Sequence, residues 1–240
     1  RVRALRAVKG RREQRRYAFE GATLLADARA AKLPIEELYA TQAAYDATPL
    51  VRELDLAGTP CFLVDPRAAE SISDVESPSG ILAVTPIRPA EVGDVLQLPG
   101  PLLLLADLAD PANAGGLLRS ADAFGCPGVL FGTLGVDPYH PKVVRGSMGA
   151  VFRLALAWVE PEDLAAGLRS TGRRLLGLAA GGEDIAGEQF EPGSVLGVGH
   201  ERHGLGRWHP LCNRLLAIPM SGRTESLNAA VEGSIGLFLA

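Results

Sequence analysis

Three polar clusters in the second half of the chain carry residue types that could do chemistry. The first spans residues 107–125 and contains Asn113, a pair of glycines and Arg119. It begins where an apolar run ends and leads into a helical pattern, which is where open α/β sheets place their binding sites. Asn113 is predicted to cap that helix, and Arg119 carries a planar fork of donors suited to phosphate or carboxylate. By itself the cluster fits an anion site and an ordinary surface loop about equally well.

The second cluster, residues 197–206, is rich in glycine. Its glycines do not follow the G-x-G-x-x-G spacing of dinucleotide-binding loops, and it lacks the Lys-Ser/Thr pair of a P-loop. The sequence therefore argues against a dehydrogenase or a P-loop NTPase. Metal-binding residue types also lie nearby, but without zinc-finger spacing, so we expect polar loop residues and no metal. These residues are His200, His203, His209 and Cys212.

The third cluster, residues 218–231, joins an apolar strand to a final apolar helix. Pro219 ends strand pairing because it lacks an amide donor. A polar loop follows, and Ser226 is predicted to cap the helix. Taken alone, this is an ordinary strand–loop–helix junction.

The elements that must position these clusters follow from the apolar pattern. From residue 101 onward, strands that are apolar at consecutive positions alternate with helices, which is typical of a parallel sheet covered on both faces. The predicted strands are 102–106, 128–131, 154–159, 175–179, 195–198 and 215–218, and the predicted helices are 116–124, 161–170 and 227–239. Residues 17–90 indicate a smaller α/β unit, and residues 91–100 a linker. In the smaller unit we predict a helix at 19–31 and strands at 36–40, 60–64 and 80–84.

The composition bounds the kind of protein that these elements build. The chain has 240 residues, 47% of them hydrophobic, and a formal charge of −4. Its longest apolar run, residues 101–106, is far shorter than the ~20 residues of a membrane span. The chain opens with arginines and no apolar run follows, so no signal peptide is expected, and the missing initiator Met suggests a truncated N-terminus. Three widely spaced cysteines fit a reduced, cytoplasmic protein.

The charge is unevenly distributed along the chain. Residues 1–16 hold eight basic residues against Glu13, a local charge of +7 that leaves about −11 on the remainder. Residues 139–159 and 202–223 contain basic residues and no acidic ones. Local basic segments in an acidic protein indicate a polyanion as partner, and we expect residues 1–16 to form a basic N-terminal arm.

Taken in order, the three clusters resemble the three motifs of the SpoU (TrmH-like) family, within the SPOUT class of S-adenosylmethionine-dependent RNA methyltransferases. Residues 137–152 also resemble that family. Residues 16–21 and 77–84 are similar to its small RNA-binding domain, which is of ribosomal-protein L30e type. The resemblance covers nearly the whole chain. Two positions depart from the usual pattern, His200 in the second motif and Glu232 in the last helix.

The resemblance implies a fold and a cofactor. The fold is α/β, with a parallel sheet whose C-terminal part forms a trefoil knot in residues 101–240, preceded by an L30e-like substrate-binding domain at 17–90. The cofactor is S-adenosylmethionine, held in the knot loops chiefly through backbone groups. Its predicted binding residues are Gly199, Ile218, Leu227, Met220, Ser226 and Asn228. The resemblance also implies a homodimer whose site lies at the subunit interface.

The implied reaction is methyl transfer to a ribose 2′-hydroxyl of RNA. Arg119 is the leading catalytic residue by resemblance. Because a guanidinium keeps its proton at neutral pH, we expect Arg119 to clamp a phosphate and stabilise the developing oxyanion, with Asn113 positioning it. Glu201 is a candidate general base, as is a phosphate-ordered water. RNA backbone contacts are expected from Lys142, Arg145, Arg202 and Arg223.

The first domain favours ribosomal RNA of the large subunit as substrate, because an L30e-like domain ordinarily docks folded RNA. A tRNA ribose methyltransferase is the alternative within the same class. The alternative from another class is a non-catalytic RNA-binding or ribosome-assembly factor. Intact residues in all three motifs argue against that factor, since loss of activity should first remove such residues.

Overall fold

The structure is a computed structural model that describes residues 1–188, 190–222 and 226–240. The chain divides into two compact units. The first unit contains residues 1–88 and 139–152, and the second contains residues 89–138 and 153–240. Residues 139–152, which the sequence analysis assigned to the second domain, thus pack within the first unit. None of the helices in the described ranges combines the length and apolar composition that crossing a bilayer requires.

The helices and strands are numbered here in chain order. The α-helices are α1 (Val8–Gln14), α2 (Ala22–Ala30), α3 (Gln42–Ala47), α4 (Pro49–Leu56), α5 (Pro66–Ile72), α6 (Val92–Gln97), α7 (Pro111–Ala123), α8 (Pro141–Gly146), α9 (Pro161–Thr171) and α10 (Ala229–Leu239). The strands are β1 (Arg16–Glu20), β2 (Glu37–Ala40), β3 (Cys61–Leu63), β4 (Ile81–Pro86), β5 (Leu102–Ala106), β6 (Gly128–Gly132), β7 (Ala155–Val159), β8 (Leu175–Asp184), β9 (Val195–Gly199) and β10 (Arg214–Ala217). Short 3-10 helices occupy Val2–Arg6, Ala150–Phe152, Ile185–Gly187 and Gly206–Leu211.

The first unit is built on a four-stranded mixed sheet in the order β1-β4-β2-β3. The predicted helix at 19–31 begins later, because residues 16–20 alternate between buried and partly exposed and pair with β4 as a strand. Tyr139 packs against Tyr17, with ring centroids 4.7 Å apart, and Phe152 packs against Phe19 at 4.9 Å. Aromatic contacts therefore hold residues 139–152 within this unit.

The N-terminal residues are folded into the first unit, which corrects the prediction of a separate arm at 1–16. Leu5 is buried against Leu82 and Val84 of β4. Arg11 is also buried and donates to the backbone carbonyls of Leu5 and Arg6. The apolar contact and the hydrogen-bonded guanidinium offset the entropy of ordering this segment, while most of its other basic side chains stay exposed.

The second unit contains a six-stranded sheet in the order β10-β8-β9-β5-β6-β7, in which every neighbouring pair is parallel. This confirms the predicted parallel sheet. All five residues of β5 and of β6 are buried, as expected for strands covered on both faces. The predicted linker 91–100 is largely part of this unit, because α6 lies within it. Val95 and Leu96 of α6 are buried in one core cluster with Leu164 and Leu168 of α9.

Candidate functional site

A cavity of about 390 Å³ lies where the second and third sequence clusters meet in the second unit. Its volume falls within the ~300–1,000 Å³ range of small-molecule sites. All six residues predicted to bind the cofactor line it: Gly199, Ile218, Met220, Ser226, Leu227 and Asn228. Most of this lining comes from the C-terminal ends of β9 and β10, the loops that follow them and the first turn of α10, and residues 178–180 of β8 supply the rest.

A chain of side-chain hydrogen bonds connects the three sequence clusters at this cavity. Asn113 Nδ2 donates to Glu201 Oε1 at 2.8 Å, and Asn228 Nδ2 donates to Asn113 Oδ1 at 2.9 Å. Asn113 is only 7% exposed, and these two bonds pair both the nitrogen and the oxygen of its carboxamide with protein groups. Asn113 is therefore the connecting residue of the site.

The helix caps differ from those predicted. Asp110 caps α7, since its side chain accepts from the amide of Ala112, and this places Asn113 inside the first turn. Asn228 caps α10 through its Oδ1, which accepts from the amides of Ala230 and Val231, so Ser226 does not hold the predicted capping position. Each helix begins at a different residue than predicted because several cap-forming residues lie close together in these loops.

Glu201 has a fixed carboxylate rather than a free one. It accepts from Asn113 and from the backbone amides of Ala109 and Asp110, at 3.2 and 3.1 Å. Burial opposes its ionisation, but these hydrogen bonds outweigh burial and hold the pKa of Glu201 below the ordinary value for glutamate. A carboxylate with a lowered pKa and its oxygens engaged is a weak proton acceptor. The described contacts thus hold the Glu201 carboxylate in place, and its role as general base stays a prediction.

Gly199 is required by the shape of the loop that follows it. His200 and Gly204 exchange two backbone hydrogen bonds of 2.8 Å, which fold residues 200–204 back on the end of β9. A Cβ atom at Gly199 would overlap the carbonyl carbon of Gly204. This glycine therefore permits close approach of two backbone segments at the cavity wall.

Arg119 is not among the described residues that line this cavity. It is exposed on α7, and within the described residues it lines a second, largely apolar groove between α7 and α10. Phe124 and Phe238 also line this groove, with ring centroids 5.6 Å apart, and Phe238 is 70% exposed. Asn113 and Arg119 thus lie on different faces of one helix. The described contacts of Asn113 are with Glu201 and Asn228, and none of them is with Arg119 of the same chain.

The predicted RNA contacts divide between the two units. Lys142 and Arg145 are exposed residues of α8 in the first unit, where Arg145 pairs with Asp74 at 2.7 Å. Arg202 is exposed and lines the cavity of the second unit. Arg223 lies outside the described residues. In the described ranges, no group of three or more His, Cys, Asp or Glu residues is arranged to hold a metal ion.

Sequence reasoning missed a charged cluster at the end of β5. Asp107 accepts from Arg207 Nε at 2.7 Å, from Trp208 Nε1 at 2.8 Å and from the amide of Leu134 at 3.2 Å. Burial alone would raise the pKa of Asp107, but these donors and the Arg207 charge hold it below the ordinary value. Arg207 also pairs with Glu160. The cluster fixes the 3-10 helix at 206–211, which directly follows the cavity loop.

The comparisons with known proteins can be set against this geometry. Residues 101–238 match the SpoU rRNA Methylase family, and residues 1–83 match a domain described as MRM3-like substrate binding domain. A relative from Streptomyces viridochromogenes, named 23S rRNA (uridine(2479)-2′-O)-methyltransferase, is 32% identical over 183 residues. That match covers 71% of this chain and 59% of the relative, so the chain spans less than two thirds of that relative's length.

Two solved structures are similar to nearly the whole chain. The SpoU methyltransferase AviRb from Streptomyces viridochromogenes, in complex with AdoMet, has a TM-score of 0.88 at 26% identity and covers 99% of this chain and 94% of its own. An AdoMet-bound rRNA methyltransferase from Sinorhizobium meliloti has a TM-score of 0.89 at 26% identity, with coverage of 99% and 91%. Since the family match takes in more than half of the residues, this chain belongs to the SpoU rRNA methylase family.

Proposed function

We propose that this protein is an S-adenosylmethionine-dependent RNA methyltransferase that modifies a ribose 2′-hydroxyl of large-subunit ribosomal RNA. The observation that carries the proposal is the hydrogen-bonded chain from Glu201 through Asn113 to Asn228, which connects all three motifs at one cavity. The family assignment and the relative named as a 23S rRNA 2′-O-methyltransferase support the reaction and the substrate class.

The cavity suits the methyl donor in size and in the chemistry of its lining. Leu178, Ile218 and Leu227 offer an apolar wall for a purine, and the backbone around Gly199 offers main-chain donors and acceptors. Met220, Ser226 and Asn228 would complete the binding surface. When bound, S-adenosylmethionine supplies an electrophilic methyl group on a sulfonium. The two similar structures that carry AdoMet support this assignment.

Arg119 is proposed to act on the RNA rather than on the methyl donor. Its guanidinium stays protonated at neutral pH, so it suits a clamp on the phosphate next to the reacting ribose and can stabilise negative charge on the 2′-oxygen. Asn113 and Glu201 hold the loops of the cavity in place. Their contacts with each other, and the lowered pKa of Glu201, support positioning roles for both.

A homodimer would bring these separated groups together. The groove that holds Arg119 presents exposed apolar side chains at Phe124, Val231 and Phe238. Burying such a patch against a second copy is favourable, and a symmetric contact would carry Arg119 of one subunit toward the cavity of the other. We therefore propose that each complete site combines the cavity of one chain with Arg119 of its partner.

The first unit is proposed to bind the folded RNA. The match to a substrate-binding domain over residues 1–83 and the exposed basic side chains of residues 1–16 support this role. The same proposal includes an L30e-like fold for this unit and a trefoil knot in the second unit. It also includes a cytoplasmic location and contacts with the RNA backbone from Lys142, Arg145, Arg202 and Arg223.

Incubation with S-adenosylmethionine and large-subunit ribosomal RNA, followed by mass spectrometry of the nucleosides, tests the proposal. A single 2′-O-methylated nucleoside, absent from a reaction with Arg119→Ala, is the expected result. Methylation of tRNA in preference to ribosomal RNA would identify the tRNA enzyme instead. Tight RNA binding without methylation of any RNA would indicate the non-catalytic factor.

A further inference from the structure

Glu232 places a carboxylate at the wall of the cavity, and the part of the chain that the structure describes offers no partner for it. It lies in the first turn of α10, where its amide donates to the carbonyl of Asn228 at 2.9 Å. Its side chain lines the cavity and is partly buried. Among the described residues, the Glu232 carboxylate has no hydrogen bond and no ion pair. A carboxylate with no protein partner among the described residues therefore lines the space where a ligand would bind.

The other charged groups in the described part of the lining do not compensate this carboxylate. Glu201 is also negative, and its oxygens are engaged by Asn113 and by two backbone amides. Arg202 carries the opposite charge, but its side chain is exposed and its charge is screened by solvent. The described lining thus holds two carboxylates and one guanidinium, and its charge balance favours a cationic ligand.

Partial burial makes the ionised form of Glu232 unfavourable in the protein alone. It raises the pKa of Glu232 above the ordinary value for glutamate, because the partly buried carboxylate loses hydration without gaining a donor. A positive group on a ligand would restore the lost stabilisation. A compact cavity of about 390 Å³ is roughly 9 Å across, which is comparable with the ~8 Å screening length of physiological salt, so a positive group bound in it is only partly screened from Glu232.

The two forms of the proposed cofactor differ by one charge. S-adenosylmethionine carries a sulfonium, an ammonium and a carboxylate, and so has a net positive charge. Its product, S-adenosylhomocysteine, has a neutral thioether in place of the sulfonium and no net charge. We infer that Glu232 is a specificity-determining residue, through which the cavity binds the cationic methyl donor in preference to the neutral product. This inference rests on the proposed function and adds to it the means by which product is released.

Calorimetric titration with both compounds tests the inference without a measurement of activity. Glu232→Gln keeps the shape of the side chain and removes its charge. We expect it to reduce the ratio of S-adenosylmethionine affinity to S-adenosylhomocysteine affinity by about tenfold. The loss should fall on S-adenosylmethionine, with S-adenosylhomocysteine changed less than about twofold. Glu232→Asp keeps the charge and should retain most of the preference.

The controls separate charge from shape and from folding. Glu162→Gln makes the same charge change at an exposed position of α9 outside the cavity, and should leave the ratio unchanged. Thermal unfolding of each variant confirms that it is folded. Equal weakening of both ligands by Glu232→Gln would mean that the carboxylate contacts a part that they share, and would overturn the inference. Wild-type protein that binds neither ligand would overturn the proposed function as well.

Discussion

The carboxamide of Asn113 has two different neighbours, and their chemistry makes a sharp prediction at the scale of one residue. Asn113→Asp keeps the size of the side chain but replaces the donor that faces Glu201 with an acceptor. Two carboxyl groups at hydrogen-bond distance cannot both ionise without repulsion. We expect the free energy of unfolding to fall by about 2–4 kcal/mol, with weakened binding of S-adenosylmethionine. Urea denaturation and calorimetry measure the two effects.

Asn213 provides the matched control for this substitution. Its Oδ1 accepts from the amide of Leu175 at 2.8 Å, and an aspartate at this position would keep that acceptor. Asn213→Asp should therefore change stability by less than about 0.5 kcal/mol. If Asn113→Asp and Asn213→Asp lowered the free energy of unfolding equally, loss of the hydrogen bond from Asn113 to Glu201 would not explain the effect.

At the scale of elements, the loop at 200–204 is held by its own backbone hydrogen bonds and by a glycine that lets it close. Gly199→Ala would force the loop open, because the added Cβ overlaps the carbonyl carbon of Gly204. We expect a loss of about 1–3 kcal/mol in stability and at least about tenfold weaker S-adenosylmethionine binding. Gly93→Ala, which adds a Cβ in open space in α6, should leave both unchanged or slightly improve stability. Unchanged binding in the Gly199 variant would show that loop closure does not shape the cavity.

The charged cluster at Asp107 makes stability depend on pH in a defined direction. Folding lowers the pKa of Asp107, so the ionised carboxylate stabilises the folded protein. This stabilisation is fully present above the ordinary pKa of aspartate, near 4. It is lost as the pH falls through the lower pKa of the folded state. Asp107→Asn should cost about 2 kcal/mol at pH 7, and the difference from wild type should shrink below about pH 4. Urea denaturation across this pH range measures it.

An exposed ion pair serves as the comparison for that experiment. Glu183 pairs with Arg214, but the Glu183 side chain is 65% exposed, so Glu183→Gln should cost little at any pH. If the difference in free energy of unfolding between wild type and Asp107→Asn grew as the pH fell, Asp107 would not be the stabilising anion.

For the whole molecule, the separation of Arg119 from the cavity leads to a prediction about mixed dimers. At an S-adenosylmethionine concentration too low to fill the weakened Gly199→Ala cavity, Arg119→Ala and Gly199→Ala should each have little activity as homodimers. In a mixed dimer, the intact cavity of the first variant would face the intact Arg119 of the second. We expect the mixed dimer, purified with two different affinity tags, to recover up to half of the wild-type methylation activity. A mixed dimer that stays inactive would show that Arg119 acts within its own chain.

The sequence by itself determined the order of the strands in the second unit and predicted cofactor-binding residues that line one cavity. Consecutive apolar positions such as Leu102–Ala106 predicted the buried parallel strands, because strand burial is a local pattern. The same pattern could not locate helix starts, since Asp110 and Asn113, or Ser226 and Asn228, are equally good caps by type. It also missed the fold of residues 1–16, where a few buried contacts within a basic segment decide the outcome.

Only the tertiary structure decided which site residues meet. The bonds that join Glu201, Asn113 and Asn228 span 88 and 115 residues of sequence, and no local pattern encodes contacts of that range. Packing likewise turned Asn113 toward Glu201 and Asn228 and left Arg119, on the same helix, in a separate groove. Residue types and their order thus determined which chemical groups the protein has. Long-range packing decided which of these groups share one site, because each helix or strand has several faces and its neighbours in the fold select among them.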